Sequence, residues 1–288
     1  MIQDERGNEM RLREFKPHHD FLVCVDSDGC AVDTMDIKHK TCFGPCMIEE
    51  WKLEDHKKAI LERWDEINLY TMTRGINRFK GLAKALEEIN DRYGTIDGVE
   101  ILKQWTENAG ELSEASLERE IAGHDAPVLK KALNWSKAVN KKIEQLPWSG
   151  RNAFPGVKEA FERIRPYADI AVVSSANRGA VEEEWKRFGL LDLVDLTLCQ
   201  DDGTKAYCIA ELKKKGYAAD HILMIGDAPG DEDAAEVNGV LYYPILVRQE
   251  ADSWNLFVNE PYSRFLNGTY SGTFQEQQKN RFHANLGV

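Results

Sequence analysis

The feature that most constrains the fold of this chain is a set of short apolar runs, each ending directly in polar residues. The runs are continuously apolar, which is typical of strands buried on both faces of a sheet: Phe21–Val25, Ile170–Val173 and Ile222–Ile225. Asp26-Ser27-Asp28-Gly29, Ser174-Ser175 and Gly226-Asp227 follow them in turn. Because open α/β sheets bind ligands outside the carboxyl ends of their strands, the pattern predicts an α/β fold with acidic groups gathered at one edge.

The order of apolar segments predicts two domains. From about residue 154 onward, strand-like and helix-like segments alternate, which favours a doubly wound, Rossmann-like parallel sheet with crossover helices. Residues 34–150 contain no strand-like run, and their apolar residues recur at helical spacing, as in Leu82, Leu86 and Ile89. We therefore predict a discontinuous α/β core formed by residues 1–33 and 151–288, which carries these acidic groups, with residues 34–150 inserted as an all-helical domain. The polar extension 251–288, which carries scattered aromatic residues, is expected to pack on the core without supplying chemistry.

Composition and charge limit the classes of partner that the protein is expected to bind. The chain has 37 basic and 49 acidic residues and a net charge of -12, which disfavours binding to nucleic acid or to an anionic membrane. An acidic protein that binds a phosphate needs local positive charge, so a metal ion and a few Lys or Arg side chains are expected. The N-terminal segment has no apolar signal core and no later run is long enough to span a bilayer, so we expect a cytoplasmic protein with reduced cysteines. The sequence carries no signal for an oligomeric state.

Asp26 and Asp28 are the candidate catalytic pair. Because these residues are two apart in an extended segment, their carboxylates point the same way. Gly29 allows a sharp turn directly after them. A carboxylate can attack phosphorus to form an aspartyl-phosphate, and a second acid can protonate the leaving oxygen and later activate water. This chemistry makes Asp26 the nucleophile and Asp28 the general acid and base of a phosphoryl-transfer enzyme.

Four motifs in a fixed order carry a family resemblance. Asp26-x-Asp28-Gly29, a strand ending in Ser174, the isolated Lys205 and Gly226-Asp227-x-x-x-Asp231 together resemble the haloacid dehalogenase superfamily. The resemblance covers residues 21–33 and 154–247, and the insert is similar in placement and class to the first-position cap of that superfamily. It implies a sheet order of 5-4-1-2-3.

The resemblance also implies the roles of the site residues. It implies a Mg²⁺ ion held by the side chains of Asp26 and Asp227 and by the backbone carbonyl of Asp28, with Asp231 either ligating or orienting the ligands. Ser174, with Ser175 as the adjacent choice, is expected to donate a hydrogen bond to the phosphoryl group, and Lys205 to neutralise charge. In the insert, Arg74 and Arg78 are candidates for binding a second anionic group of the substrate, with a plain solvated loop as the alternative, and the cap is expected to close over the site and exclude water.

The function predicted from these features is a Mg²⁺-dependent phosphatase acting on a small phosphorylated metabolite. Asp28 favours phosphoryl transfer over dehalogenation of carbon, because removal of a halide leaves no alkoxide to protonate. Three alternatives stay open at this stage: a sugar-phosphate mutase similar to β-phosphoglucomutase, a phosphonate hydrolase with a cap lysine, and a noncatalytic phospho-acceptor or metal-binding domain.

Overall fold

A computed structural model describes residues 12–94, 96–123 and 126–288. These residues form two compact units. One consists of the described residues up to Thr34 together with Arg151–Val288, and the other is Met35–Gly150. That these units are a catalytic core and a cap domain stays a prediction.

Parallel strands form the centre of the first unit. In chain order they are β1 (Phe21–Val25), β2 (Ala168–Val173), β3 (Leu196–Leu198), β4 (Ile222–Gly226) and β5 (Leu241–Pro244). Within the described residues they make a five-stranded sheet with the order β3-β2-β1-β4-β5, all neighbours being parallel. This arrangement confirms the predicted fold class and strand order. The two edge strands are short, and β5 ends at Pro244, which has no N–H to continue a ladder.

The register of the central strand decides where the polar residues emerge. Val25, the last residue of β1, lies opposite Val172 of β2 and Ile225 of β4. The segments that follow these strands therefore leave the sheet at the same edge and nearly the same level. The sequence predicts the acidic site residues at this same edge.

In the second unit, all the regular secondary structure of the described residues is helical. Its helices are α1 (Met35–Lys38), α2 (Gly44–Trp51), α3 (Lys57–Asp65), α4 (Arg78–Tyr93), α5 (Val99–Asn108), α6 (Glu114–Gly123) and α7 (Pro127–Glu144), with π-helical turns at His39–Phe43 and Glu66–Tyr70. The spaced residues Leu82, Leu86 and Ile89 all lie on the buried face of α4, as the periodicity predicts. Pro127 begins α7, where its missing N–H costs no hydrogen bond.

The remaining helices belong to the first unit. They are α8 (Val157–Ile164), α9 (Arg178–Arg187), α10 (Lys205–Lys213), α11 (Pro229–Asn238), α12 (Glu250–Asn259), α13 (Pro261–Leu266) and α14 (Thr273–Asn285). The last three helices follow β5 and include the buried residues Trp254, Phe257 and Phe282. Trp254 Nε1 donates to the carbonyl of Cys30, 2.9 Å away, so this extension contacts the turn after β1. Across the described part of the chain, no helix combines the length and the apolar character that crossing a membrane requires.

A core substitution tests the packing of the helical unit. Leu86 is fully buried in its apolar core, so Leu86→Ala is expected to lower the free energy of unfolding by about 2–5 kcal/mol. Ile101, which is 44% exposed on α5, provides the control, and Ile101→Ala is expected to change that free energy by less than about 0.5 kcal/mol. Urea unfolding followed by tryptophan fluorescence measures both, and a Leu86 variant as stable as the parent would contradict this packing.

Candidate active site at the carboxyl edge of the sheet

A tight turn after β1 places Asp26 at the sheet edge. The backbone N–H of Asp26 donates to the carbonyl of Ile225 at 3.0 Å, which continues the pairing with β4 by one residue. The carbonyl of Ser27 then accepts the N–H groups of Ala31 at 3.0 Å and Val32 at 2.9 Å. Gly29 has φ of 83°, a left-handed conformation that glycine adopts without steric cost. This conformation explains why the motif has glycine at position 29, and the turn holds Asp26 in a buried position.

Three buried carboxylates converge at this edge. Asp26, Asp227 and Asp231 each offer a carboxylate oxygen, and these oxygens lie within 4.8 Å of one another. Asp227 follows the end of β4 directly, while Asp231 lies in the first turn of α11, where its Oδ2 accepts the N–H of Ala228 at 3.1 Å. Oxygen donors at such spacing suit a hard divalent cation.

Helix α11 begins at Pro229, so Asp231 is its third residue. Proline is favoured at the first helical position, and this preference sets the start of the helix here. The Asp231 carboxylate therefore lies within the first helical turn and not before it.

Lys205 is the cation of the cluster. It is the first residue of α10, and its Nζ lies 2.9 Å from Asp26 Oδ1 and 2.5 Å from Asp231 Oδ1. Burial disfavours its charged form, but the carboxylates of Asp231 and Asp26 outweigh burial and hold the pKa of Lys205 above its ordinary value. Burial raises the pKa of Asp26 well above its usual range, against the opposing effect of Lys205. If all three carboxylates are ionised, they and the Lys205 ammonium leave two formal negative charges, which is the charge that a divalent cation balances.

Gly226 is required by the packing of Asp231 against the end of β4. A Cβ at residue 226 would lie 2.3 Å from the Cβ of Asp231 and 2.2 Å from its Cγ. Carbon atoms that are not bonded to each other do not approach so closely. The Asp231 side chain occupies the space that a side chain at residue 226 would fill. The sequence motif contains this glycine, but only the structure shows why.

Asp28 is partly buried and is held by a residue that the sequence does not single out. The hydroxyl of Thr34 donates to Asp28 Oδ1. Thr34 is fully buried, although a threonine six residues after the motif carries no signal of its own. The contact fixes the orientation of the carboxylate that is assigned to proton transfer.

Ser174 follows β2 and lies one strand away from Asp26. It is buried, whereas Ser175 is exposed. The Ser174 Oγ accepts the N–H of Ala176 at 3.2 Å, which leaves its own proton for donation. The choice of Ser174 over Ser175 as the phosphate donor stays a prediction.

Arg178 anchors the segment that leads to Lys205, a contact that the sequence interpretation missed. Its guanidinium donates to Asp201 Oδ2 at 3.0 Å, to the carbonyl of Thr197 at 2.9 Å and to Asp202. Burial works against its charge, but Asp201 and Asp202 hold the pKa of Arg178 above its ordinary value. Because α10 begins three residues after Asp202, this network fixes the place from which Lys205 reaches the carboxylates.

Arg74 and Arg78 lie in the helical unit, where Arg74 is buried and Arg78 is partly buried. Arg74 Nη1 donates to the carbonyl of Leu69 at 2.8 Å. Arg78 Nη1 donates to Ser136 Oγ at 3.1 Å and to Asn140 Oδ1 at 2.7 Å, and burial lowers the pKa of its guanidinium. These guanidinium groups thus have hydrogen-bond partners within their own unit, and their role in substrate binding stays a prediction.

A second group of ligand-type side chains lies at the opposite edge of the sheet. His18, Asp169 and Asp195 are close enough to hold a cation. However, Asp169 Oδ2 already accepts the backbone N–H of His18 at 3.0 Å and the hydroxyl of Tyr217 at 2.5 Å. Asp195 Oδ2 accepts the N–H of Ile170 at 2.8 Å. These hydrogen bonds give the group a structural role in fixing the segment before β1.

The parallel sheet with acids and a lysine at its carboxyl edge defines an α/β enzyme fold. A sequence profile described as haloacid dehalogenase-like hydrolase matches residues 100–243, half of the 288-residue chain. The chain therefore belongs to the haloacid dehalogenase-like hydrolases, which confirms the resemblance and the prediction of an enzyme. The matched span includes Ser174, Lys205, Asp227 and Asp231, whereas the Asp26–Asp28 motif precedes it. No curated protein matches the sequence significantly.

Three bacterial proteins illustrate the solved structures to which this chain is similar. A candidate phosphoglycolate phosphatase from Lactobacillus delbrueckii subsp. bulgaricus is 16% identical with a TM-score of 0.52, over 94% of this chain and 100% of that one. A candidate β-phosphoglucomutase from Thermotoga maritima is 15% identical with a TM-score of 0.46, over 83% and 99%. A candidate haloacid dehalogenase-type hydrolase from Bacillus subtilis, bound to magnesium, is 13% identical with a TM-score of 0.44, over 79% and 87%. The first of these similarities supports the fold alone.

The contact between Gly226 and Asp231 can be tested by two glycine substitutions. Gly226→Ala is expected to displace Asp231 and to lower the free energy of unfolding by about 1–3 kcal/mol, because the added methyl group overlaps a buried side chain. Gly230→Ala is the control, since a Cβ there meets no atom within 4 Å and alanine favours the helix. Chemical denaturation of both variants checks this, and equal stability of the two would contradict the packing described.

Proposed function

We propose that this hydrolase is a Mg²⁺-dependent phosphatase that cleaves a small phosphorylated metabolite through an aspartyl-phosphate intermediate. The observation that carries the proposal is the convergence of the Asp26, Asp227 and Asp231 carboxylates with the Lys205 ammonium at one buried edge. Such a cluster combines a nucleophile, a cation site and a charge partner for a phosphoryl group. The name of the solved Lactobacillus delbrueckii protein, a candidate phosphoglycolate phosphatase, agrees with a substrate of this class.

The donor set fits Mg²⁺. All of its side-chain donors are carboxylate oxygens, and Mg²⁺ prefers oxygen ligands and one or two carboxylates beside a substrate phosphate. Asp26 and Asp227 would hold the ion through their side chains and Asp28 through its backbone carbonyl, with Asp231 ligating or orienting them. When bound, the ion neutralises negative charge between the nucleophile and the phosphate.

Asp26 is the proposed nucleophile. Its carboxylate attacks phosphorus, a bond from Asp26 to phosphorus forms, and the bond from phosphorus to the substrate oxygen breaks. Lys205 remains a cation at neutral pH because its pKa is raised, so it neutralises charge on Asp26 and on the transferring group. The Ser174 hydroxyl donates a hydrogen bond to a phosphoryl oxygen.

Asp28 is the proposed general acid and base. In the first step its carboxyl proton passes to the leaving substrate oxygen. In the second step the carboxylate takes a proton from water, whose oxygen attacks the phosphorus and releases phosphate and free Asp26. The hydrogen bond from Thr34 holds Asp28 for both transfers.

The proposal includes the remaining predicted residues. Ser175, exposed beside Ser174, is a second donor for the phosphate. Arg74 and Arg78 are proposed to bind a further anionic group of the substrate, and residues 34–150 to serve as the cap domain that selects it. The cytoplasmic assignment is supported by the cysteines, because none of the six forms a disulfide and all are buried.

The primary test is a screen of phosphorylated metabolites for phosphate release, with Mg²⁺ and with a chelator. We expect turnover that requires Mg²⁺ and that falls at least about 10³-fold in Asp26→Asn, because the amide cannot act as the nucleophile. Asp233→Asn is the matched control, since Asp233 is an exposed acid on the same helix as Asp231. Full activity of Asp26→Asn would refute the assignment of Asp26 as the nucleophile. Transfer of the phosphoryl group to a second hydroxyl, without phosphate release, would show that the protein is a mutase and not a phosphatase.

The second test separates the two steps. Asp28→Ala is expected to slow hydrolysis of the aspartyl-phosphate by about 10²–10⁴-fold, because no group then activates water. With a substrate whose leaving group needs no proton, such as p-nitrophenyl phosphate, the phosphoenzyme should accumulate. Mass spectrometry of the quenched protein detects one added phosphoryl group on Asp26. Rapid turnover by this variant would contradict the role of Asp28.

A further inference from the structure

The C-terminal helix α14 and the turn before it cover the free edge of β5. The backbone N–H of Tyr242 donates to Gln275 Oε1 at 3.0 Å, and its carbonyl accepts the hydroxyl of Tyr270 at 2.7 Å. Just after the strand, the side-chain amide of Asn285 accepts from the N–H of Val247 at 2.9 Å and donates to its carbonyl at 3.2 Å. Edge strands otherwise leave such backbone groups exposed. The extension therefore fixes the position of β5 through side chains instead of a further strand.

Tyr242 connects this edge to the carboxylate cluster. Its side chain is buried, and its hydroxyl donates to the carbonyl of Gly226 at 3.1 Å. Gly226 precedes Asp227, and the same carbonyl also accepts the N–H of Ile245 at 2.8 Å. The ring of Tyr242 packs edge-on against Phe282 of α14, with the ring centroids 5.8 Å apart. The peptide group between Gly226 and Asp227 is thus held by a side chain that α14 holds in place.

Glu232 provides a second connection, to Asp231. Glu232 follows Asp231 in α11 and is buried. Its Oε2 lies 2.7 Å from Nε2 of His283, and its Oε1 lies 3.1 Å from Nζ of Lys279. Both partners belong to α14. The helix therefore contacts the elements that carry two of the three clustered carboxylates.

The environment of Tyr242 agrees with this connection. Burial raises the pKa of its hydroxyl well above the ordinary value, and the negative charges of Asp231 and Asp227 add to the rise. The hydroxyl therefore stays protonated and remains a donor to Gly226.

We propose that α14 is a positioning element of the metal site, with Tyr242 as the positioning residue for Asp227 and Glu232 as the positioning residue for Asp231. The extension 251–288 then contributes to the reaction by fixing where the carboxylates lie, without touching substrate. This inference rests on the proposed Mg²⁺-dependent function. It extends that function to a helix that lies outside the family profile match.

Two neighbouring tyrosines provide a matched test. Tyr242→Phe removes only the hydroxyl that donates to Gly226. Tyr243→Phe removes the hydroxyl that donates to the carbonyl of Ser253 at 2.7 Å, and Tyr243 is equally buried but points to the other face of the sheet. We expect both variants to unfold at a lower temperature. Only Tyr242→Phe should weaken Mg²⁺ binding, by about tenfold in isothermal titration calorimetry, the lower range for loss of a group that supports a metal ligand.

A second pair tests the helix itself and serves if Tyr242→Phe fails to fold. Gln275→Ala removes the acceptor of the Tyr242 N–H, whereas Gln277→Ala changes an exposed residue of the same helix. The first is expected to weaken Mg²⁺ binding and to raise the Mg²⁺ concentration needed for half-maximal activity, with kcat at saturating Mg²⁺ close to that of the parent. The second is expected to leave both quantities unchanged.

The outcomes separate this inference from the function on which it rests. If the parent protein binds no Mg²⁺ in the titration, the proposed function is contradicted, and this inference with it. If the parent binds Mg²⁺ and Tyr242→Phe binds it within twofold as tightly, only the positioning role is overturned. Equal weakening in Tyr242→Phe and Tyr243→Phe would likewise overturn it, because the extension would then act through stability alone.

Discussion

The negative charge gathered at one edge of the sheet is the constraint on which the rest of the structure depends. Bringing three carboxylates together in a buried place costs several kcal/mol for each ion unless positive charge accompanies them. Lys205 supplies part of that charge by contacting Asp26 and Asp231 at once. In the ionised cluster two negative charges remain, and the proposed Mg²⁺ ion would balance them.

The parallel sheet makes this concentration of charge possible. Because β1 lies between β2 and β4 in matched register, the residues after its last valine emerge beside Ser174 on one side and Asp227 on the other. The backbone of each strand end is held by its neighbours, so the carboxylates are placed before any ligand arrives. Such preorganisation is the main way in which a protein stabilises charge that develops in a reaction. Arg178 and Thr34 contribute to this preorganisation, because they fix Lys205 and Asp28 from outside the cluster.

Much of the core was predictable from the sequence because its signals are local. The apolar runs give β1, β2 and β4, and the acids that follow them give Asp26, Asp28 and Asp227. Contacts between distant residues leave no such signal: nothing around Tyr242 predicts its bond to Gly226, and nothing around Thr34 predicts its bond to Asp28. The positive charges of Arg74 and Arg78 predict binding of a second anionic group of the substrate, but they do not predict the hydrogen bonds that both guanidinium groups donate within the helical unit. The polar composition of residues 251–288 likewise concealed how closely that segment contacts β5 and α11.

A crystal structure of the protein with Mg²⁺ and beryllium fluoride, a mimic of the aspartyl-phosphate, tests the central claim most directly. The account predicts beryllium fluoride bonded to the Asp26 carboxylate, with Mg²⁺ at about 2.0–2.1 Å from oxygens of Asp26 and Asp227. It also predicts the Lys205 ammonium within hydrogen-bond distance of the bound group. Beryllium fluoride elsewhere, or a cation bound away from these carboxylates, would contradict the assignment of this edge as the active site.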